Sequence, residues 1–260
     1  MIGSRRMVAV LVALGAFWAS QQSALASGWM GFTMGRGSSG VAVRRVLPGS
    51  PAEKAGLHPG DQVVAVDGKA VKTPGQVLGA VRGKGPGQSV SMTLLRGGAK
   101  RAVSLRLAAR PSLQKLLRLL FVGRKAPSFS LKATDGSQVR LAGLRGKVVM
   151  IEFWATWCAS CKISLKKLTH LYRKLRSRGF LVLAPARNSL AETQAEARKL
   201  RLPFPVLADP GAKVARRYHF SKTPTLALVD RKGVIRNIWV GSSYSERAME
   251  AQVRRILAEK

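Results

Sequence analysis

The sequence predicts two domains behind an N-terminal export signal. The first is mostly β with two helices; the second is α/β, with a central sheet covered by helices on both faces. Three observations predict this. A short apolar run follows two arginines at the N-terminus. Residues 28–109 are Gly-rich and alternate like short strands, whereas from Ala126 apolar strands alternate with helical patterns. A chain of 260 residues is long enough for two modest cores.

The export signal is read over 1–26. Arg5 and Arg6 supply the positive region, "MVAVLVALGAFWA" (7–19) the apolar region, and "ALA" (24–26) small residues suited to cleavage after Ala26. The apolar run is shorter than the roughly 20 residues needed to span a bilayer, although uncleaved it would act as an anchor. "SRRMVAV" (4–10) is only faintly similar to a twin-arginine signal, so ordinary export to a bacterial periplasm is expected. No cysteine follows the run, which argues against a lipoprotein anchor.

With 45 Lys+Arg against 12 Asp+Glu the formal charge is +33. Such a field favours anionic membrane surfaces, acidic proteins or nucleic acid. No basic block recurs with interleaved aromatics, and the charge is spread over both halves. An Arg-rich solvated surface is the plain reading. Nucleic acid is not expected as a partner outside the cytoplasm, while association with a membrane surface stays open.

In the first domain "GVAVRRVL" (40–47) places Val41, Val43 and Leu47 for a buried face. "PGSPAEKAGL" gives a turn and a short helix, with Ser50 at its start and Gly56 near its end. "GDQVVAVDGKAV" reads as a strand turning back at Asp67-Gly68. "TPGQVLGAVRG" is a second helix, with Thr73 as N-cap and Pro74 at the first position. "SVSMTLLRGGAKRAVSLRL" is a strand pair joined at Gly97-Gly98, with Val90, Met92 and Leu94 facing Val103, Leu105 and Leu107.

With "VLPGSPAEKAGLHPGDQVVAVDGKAV" inside it, this order of elements resembles a bacterial PDZ domain over 28–109. The resemblance implies a loop whose backbone N–H groups receive the terminal carboxylate of a peptide or protein, which then adds as a strand to the sheet edge. "WMGF" (29–32) occupies that loop, departing from the common Gly-Leu-Gly-Phe by its leading Trp29. Met30, Gly31 and Phe32 are the implied binding residues there. Val77 and Val81, one turn apart on the second helix, are either pocket walls or plain core.

Residues 110–123, within "RPSLQKLLRLLFVGRK", read as an amphipathic linker. Leu113, Leu116, Leu117 and Leu120 form one apolar stripe that docks onto its own domain or lies on a membrane. The second domain is read over 124–260. "FSLKATDGSQVRL" is a hairpin-like pair turning at Asp135-Gly136, and "GKVVMIEFWA" an apolar strand buried on both faces. A helix follows from Cys158 to about Ser177. Then come strand "GFLVLAPA", helix "LAETQAEARKL", strand "FPVLAD", a short helix "AKVARRY", hairpin "TPTLALVDRKGVIRNIWVG" and a helix from Ser245.

Cys158 and Cys161 are the only cysteines. A disulfide closing so short a loop would hardly constrain the unfolded chain, which makes it a poor structural staple. In the first turn of a helix the two lie near enough for a disulfide, and the helix N-terminus favours a thiolate at Cys158. Lys162 is expected to add positive potential. Cys161, less exposed, would resolve the mixed disulfide made by Cys158. Zinc normally takes four ligands, and neither a second Cys pair nor His58, His170 or His219 supplies them at ligand spacing, so no metal is expected.

"APSFSLKATDGSQVRLAGLRGKVVMIEFWATWCASC", followed by "KTPT", resembles the TlpA-like branch of the thioredoxin family over about 124–260. The resemblance implies a cis bond at Thr223-Pro224 facing the disulfide, with the Thr223 backbone pairing to an incoming polypeptide. Trp154 and Trp157 match the aromatic frame before the pair, Trp157 as a substrate contact and Trp154 as core. Glu152 stands where thioredoxin has a buried aspartate that relays the resolving cysteine's proton; its alternative is a strand-end carboxylate paired with arginine. Many TlpA-like reductants carry an amide there and a glutamate where this chain has Ser164. Ala159-Ser160 replaces the more familiar dipeptides between the cysteines.

The expected function is an exported thiol:disulfide oxidoreductase, a reductase rather than an oxidase, working on protein thiol or disulfide substrates. The redox pair itself serves in place of a cofactor, an external electron donor reduces it, and the PDZ domain docks a partner. The alternatives are a peroxiredoxin-like thiol peroxidase, for which no proline precedes Thr156 in the required pattern, and a PDZ-based adaptor with a non-essential redox domain.

Overall fold

The structure is a computed structural model that describes residues 28–259. The expected signal, 1–26, lies outside the described residues. The chain divides between Pro111 and Ser112 into two compact units.

The first unit contains β1 (Phe32–Arg36), β2 (Val41–Val46), α1 (Pro51–Lys54), β3 (Gln62–Val66), β4 (Lys69–Ala70), α2 (Pro74–Val81), β5 (Ser89–Arg96) and β6 (Ala99–Arg106). The sheet runs β1-β2-β3-β5-β6, with β4 beside β3, so β1 is an edge strand. The β5–β6 register sets Val90 opposite Leu105 and Met92 opposite Val103, which matches apolar faces across the pair. Val90, Met92, Leu94, Leu105 and Leu107 are buried, with Val103 packed alongside. Asp67 and Gly68 have φ of 47° and 75°, and Gly97 and Gly98 of 56° and 82°. Two consecutive positive φ values are what a tight hairpin turn requires. Ser50 caps α1 by accepting the Glu53 N–H at 3.2 Å. Thr73 and Gln76 form a reciprocal capping box at α2.

The second unit contains α3 (Leu113–Phe121), β7 (Ser130–Lys132), β8 (Gln138–Arg140), β9 (Val148–Phe153), α4 (Ala159–Leu175) and β10 (Phe180–Ala186). It continues through α5 (Leu190–Lys199), β11 (Val206–Ala208), α6 (Lys213–Arg217), β12 (Thr225–Val229), β13 (Ile235–Val240) and α7 (Glu246–Ala258). The main sheet is ordered β11-β10-β9-β12-β13. Strand β10 runs parallel to β9 and β11, and β12 antiparallel to β9 and β13. β9 is buried throughout, and its residues alternate between two cores. Val148 and Met150 pack with Leu165 and Leu168 of α4 and Met249 and Val253 of α7. Val149, Ile151 and Phe153 pack with Tyr218, Phe220 and α3.

The segment expected as a linker therefore splits. Leu117 and Phe121 of α3 are buried in the second unit's core, with Leu113 and Leu120 beside them. The stripe is centred on Leu117 and Phe121, so Leu116, expected within it, is off-centre. Burying such a side chain contributes about 1.5–3 kcal/mol, enough to seat this helix on the sheet. Among the described residues no helix is long and apolar enough to cross a membrane.

Candidate active site

The loop from β9 to α4 is held from both ends. The Trp154 indole N–H donates to the Ala184 carbonyl at 3.0 Å, and the Thr156 N–H to Asn188 Oδ1 at 3.0 Å. Trp154 is fully buried, as its core assignment requires, whereas Trp157 is 70 % exposed beside the first cysteine.

Cys158 is the N-cap of α4, a helix of 17 residues. The two sulfurs form a disulfide with the Cα atoms 5.2 Å apart. Cys158 keeps a sliver of exposure and Cys161 has none. The Cys161 N–H donates to Cys158 Sγ at 3.2 Å, and Ser160 Oγ lies 3.5 Å from the same sulfur. A thiolate at Cys158 would thus receive a backbone N–H and a hydroxyl in addition to the helix dipole. Lys162 does not add the free charge expected of it: its Nζ lies 2.7 Å from Glu196 Oε1. The positive potential at the sulfur comes from the helix terminus.

The Thr223-Pro224 peptide bond is cis. Thr225 pairs with Phe153 across the sheet, which brings the proline to the end of the sheet where β9 delivers Cys158. The Thr223 backbone amide and carbonyl take no partner among the described residues. Ile163, 56 % exposed on the first turns of α4, lies off the Leu165–Leu168 stripe and was not singled out from the sequence. An exposed branched aliphatic so close to the pair was the available signal.

Glu152 is fully buried on the α4–α7 side of the sheet. No arginine reaches it, so the alternative of a carboxylate–arginine pair fails. Ser164 Oγ donates to Glu152 Oε2 at 2.8 Å, and the other carboxyl oxygen has no hydrogen-bond partner. Burial raises the Glu152 pKa to about 8, against the opposing pull of the Ser164 hydrogen bond. Ser164 Oγ in turn lies 2.9 Å from Tyr244 Oη. Tyr244 had no signal in the sequence, because its contact spans 80 positions.

In the first unit Met30, Phe32, Val77 and Val81 all belong to the core. Gly31 is irreplaceable for two reasons. Its φ is +86°, and a Cβ there would fall 2.2 Å from Ser50 Cβ. The Gly31 and Met30 carbonyls accept from Leu47 and Ala52, each at 2.9 Å, while their N–H groups find no acceptor among the described residues. Leu78, 54 % exposed, is the apolar side chain that α2 leaves on its surface. His58, His170 and His219 are all exposed, and among the described residues no group of three or more His, Cys, Asp or Glu could hold a metal ion.

Comparison with known proteins agrees with both units. The PDZ domain family model matches residues 28–107, and the AhpC/TSA family model matches residues 122–238. The thioredoxin-like protein YneN of Bacillus subtilis is 32% identical over 134 residues, covering 50% of this chain and 78% of that one. The thiol-disulfide oxidoreductase ResA of Bacillus cereus is 29% identical over 136 residues, covering 52% and 78%. A solution structure from Bacteroides thetaiotaomicron, assigned as a protein disulfide isomerase, superposes with a TM-score of 0.50 at 30% identity, covering 53% of this chain and 91% of that one. The chain carries a PDZ domain ahead of its redox domain, and it belongs to the TlpA-like thioredoxin family of thiol-disulfide oxidoreductases.

Proposed function

We propose that the protein is exported and reduces disulfides in protein substrates, with its PDZ domain docking the C-terminus of a peptide or partner. The observation that carries this reading is Cys158 at the mouth of α4 with the Cys161 N–H on its sulfur. In the reduced protein the Cys158 thiolate attacks a substrate disulfide; one substrate sulfur leaves as a thiolate and a mixed disulfide forms. Cys161 gives its proton to Glu152, attacks Cys158 Sγ and displaces the second substrate thiolate. The substrate gains two electrons, and the Cys158–Cys161 disulfide is left for an external dithiol donor to reduce.

Reduction is the favoured direction because an extracytoplasmic compartment already supplies oxidation. The free backbone groups of Thr223 and the exposed Trp157 suit a visiting polypeptide. In the PDZ unit, the unoccupied N–H groups of Met30 and Gly31 beside edge strand β1 suit a terminal carboxylate and an added strand. Phe32, Val77 and Val81 support that groove from the core side.

The test is a trapping experiment. The Cys161→Ser chain, expressed with its signal, should accumulate a mixed disulfide with the natural substrate, and Cys158→Ser should accumulate none. If the reduced wild-type protein cleaves no protein disulfide, the reading is wrong. Rapid thiol-dependent peroxide turnover would replace it with a peroxidase, and full cellular function of Cys158→Ser would replace it with an adaptor.

A further inference from the structure

Glu152 is sealed from solvent by the α4–α7 core. Under the reading above it accepts a proton from Cys161 in every turnover. Re-reduction frees Cys161 as a thiolate that takes this proton back. A carboxyl that is largely protonated near neutral pH nevertheless has to shed a proton before it can serve as the base at all, and the apolar walls offer no path. We infer that Ser164 and Tyr244 are positioning residues that form a two-hydroxyl conduit between Glu152 and a solvent cleft beside α4 and α7. The inference rests on the proposed role of Glu152 and extends it to Ser164, which replaces the glutamate of many TlpA-like reductants, and to Tyr244, which neither the sequence motif nor the family match assigns.

The geometry is continuous. Ser164 Oγ is 2.8 Å from Glu152 Oε2 and 2.9 Å from Tyr244 Oη. A serine has one hydroxyl proton. With that proton given to Glu152, the Tyr244 hydroxyl donates to Ser164 Oγ at 2.9 Å in preference to the Ser164 carbonyl at 3.4 Å, so the chain points inward when the carboxyl is ionised. When the carboxyl is protonated the chain reverses: Glu152 donates to Ser164 Oγ, Ser164 passes its own proton to Tyr244, and Tyr244 releases its own to water. The hydroxyls then rotate back, and no net charge stays on either. Half-buried Tyr244 lines a cleft of about 550 Å³ together with Lys167, His170, Glu246, Met249 and Glu250. Burial holds the Tyr244 phenol above the usual tyrosine range, so it transmits protons without storing a charge.

At its inner end the path meets Cys161 of α4. At the cleft, α4 contributes Lys167, His170, Arg173 and Lys174, the turn before α7 contributes Tyr244, and α7 contributes Glu246 and Glu250. The β12 partner of Glu152 is apolar Leu226. Lys167 Nζ sits 4.9 Å from the Tyr244 ring centroid and 4.0 Å from the Glu246 carboxylate, at the cleft end of the path.

The test uses the full reduced chain and 5,5′-dithiobis(2-nitrobenzoate). The first thionitrobenzoate released reports attack by Cys158, and the second reports resolution by Cys161. Tyr244→Phe keeps the ring over Lys167 and removes only the hydroxyl. Near neutral pH it should slow the second release about tenfold, the size of one pH unit of lost base, and leave the first unchanged. The solvent isotope effect on the second release should rise, and the deficit should narrow above about pH 9, where the carboxyl is ionised before reaction begins. Ser164→Ala should act alike, and Ser164→Thr should restore the rate. Glu152→Gln should slow resolution on the order of 10²-fold, after which Tyr244→Phe should add nothing. A wild-type second release with an unchanged isotope effect in both Tyr244→Phe and Ser164→Ala overturns the conduit while leaving Glu152 as the base. A wild-type second release in Glu152→Gln overturns both.

Discussion

The two units each bury a carboxyl group and treat it in opposite ways. Asp61 of the PDZ unit is buried, yet it faces Arg96, with Nε at 2.7 Å and Nη2 at 2.8 Å, and it accepts the His58 N–H at 2.8 Å. Burial pushes its pKa up, but these partners overcome it and hold the group below the usual carboxylate range. Glu152 of the redox unit receives one serine hydroxyl and leaves an oxygen unmatched. Burial wins there, and its pKa rises to about 8. The difference teaches how to tell a structural carboxyl from a chemical one: the first lies near the surface of its unit with its lone pairs filled and stays charged, and the second lies deep with an oxygen unmatched and is left able to gain and lose a proton near neutral pH.

The largest expected effect comes from removing the unmatched charge. A folded pKa of about 8 against the ordinary 4.5 means that the native state binds the proton more tightly than the unfolded chain does. Between those values the native state carries the extra proton, so stability falls as pH rises through the window. At about 1.4 kcal/mol per pH unit the loss amounts to several kcal/mol. Glu152→Gln keeps the Ser164 hydrogen bond and cannot ionise. Denaturant unfolding should find it close to wild type near pH 5 and several kcal/mol more stable near pH 9. Parallel pH profiles for the two proteins would erase the contrast with Asp61.

A smaller effect tests the same contrast at the level of backbone. The PDZ side chains singled out for binding are buried in the core, so under the proposed docking the contact with a partner falls chiefly to the main chain, shaped by Gly31. Gly31→Val forces a branched residue to a φ of +86° and drives its Cβ to 2.2 Å from Ser50 Cβ. Strain of this kind costs about 1–3 kcal/mol, with overpacking on top. Peptide binding should be lost, and both phases of thionitrobenzoate release should keep their wild-type rates. Slowed thiol chemistry in Gly31→Val would break the division between a backbone site and a side-chain site.

What could be read without the structure follows the same division. The Cys-Ala-Ser-Cys spacing at a strand-to-helix junction placed the redox pair, because a helix start brings those positions onto one face. Glu152 stood out because a carboxyl interrupts an otherwise apolar strand. Ser164 stood out only as the residue that replaces a glutamate of many TlpA-like reductants, and Tyr244 not at all, since the link between them spans 80 positions. Val77 and Val81 fit a pocket wall and a core stripe equally; the structure buries both in the core, a position from which they can also back a groove. The leucine-rich α3 offered apolar residues on several sides, so the face that docks was decided by the sheet it meets. Lys162 misled because charge near a cysteine in sequence can be neutralised by a residue from another helix, here Glu196.

The smallest expected effect lies on the other side of the comparison, at the satisfied carboxyl. Arg96→Met keeps the aliphatic stem of the side chain and removes the guanidinium that faces Asp61 and donates to the Gly56 carbonyl at 2.6 Å. Because the native Asp61 pKa is depressed, its contribution to stability is present above the ordinary value of 3.8 and is lost as pH falls through the folded value. Removing Arg96 leaves the His58 N–H but not the ion pair, so the folded pKa should rise toward and past the ordinary range. Arg96→Met should therefore be less stable than wild type at pH 7, and the gap should close progressively below about pH 4 as wild type loses its own advantage. That acid-side convergence is the mirror image of the alkaline divergence expected for Glu152→Gln. A gap that persisted unchanged at pH 3 would assign the Arg96 contribution to packing of its stem, and Asp61 would then cease to be the charged counterpart of Glu152.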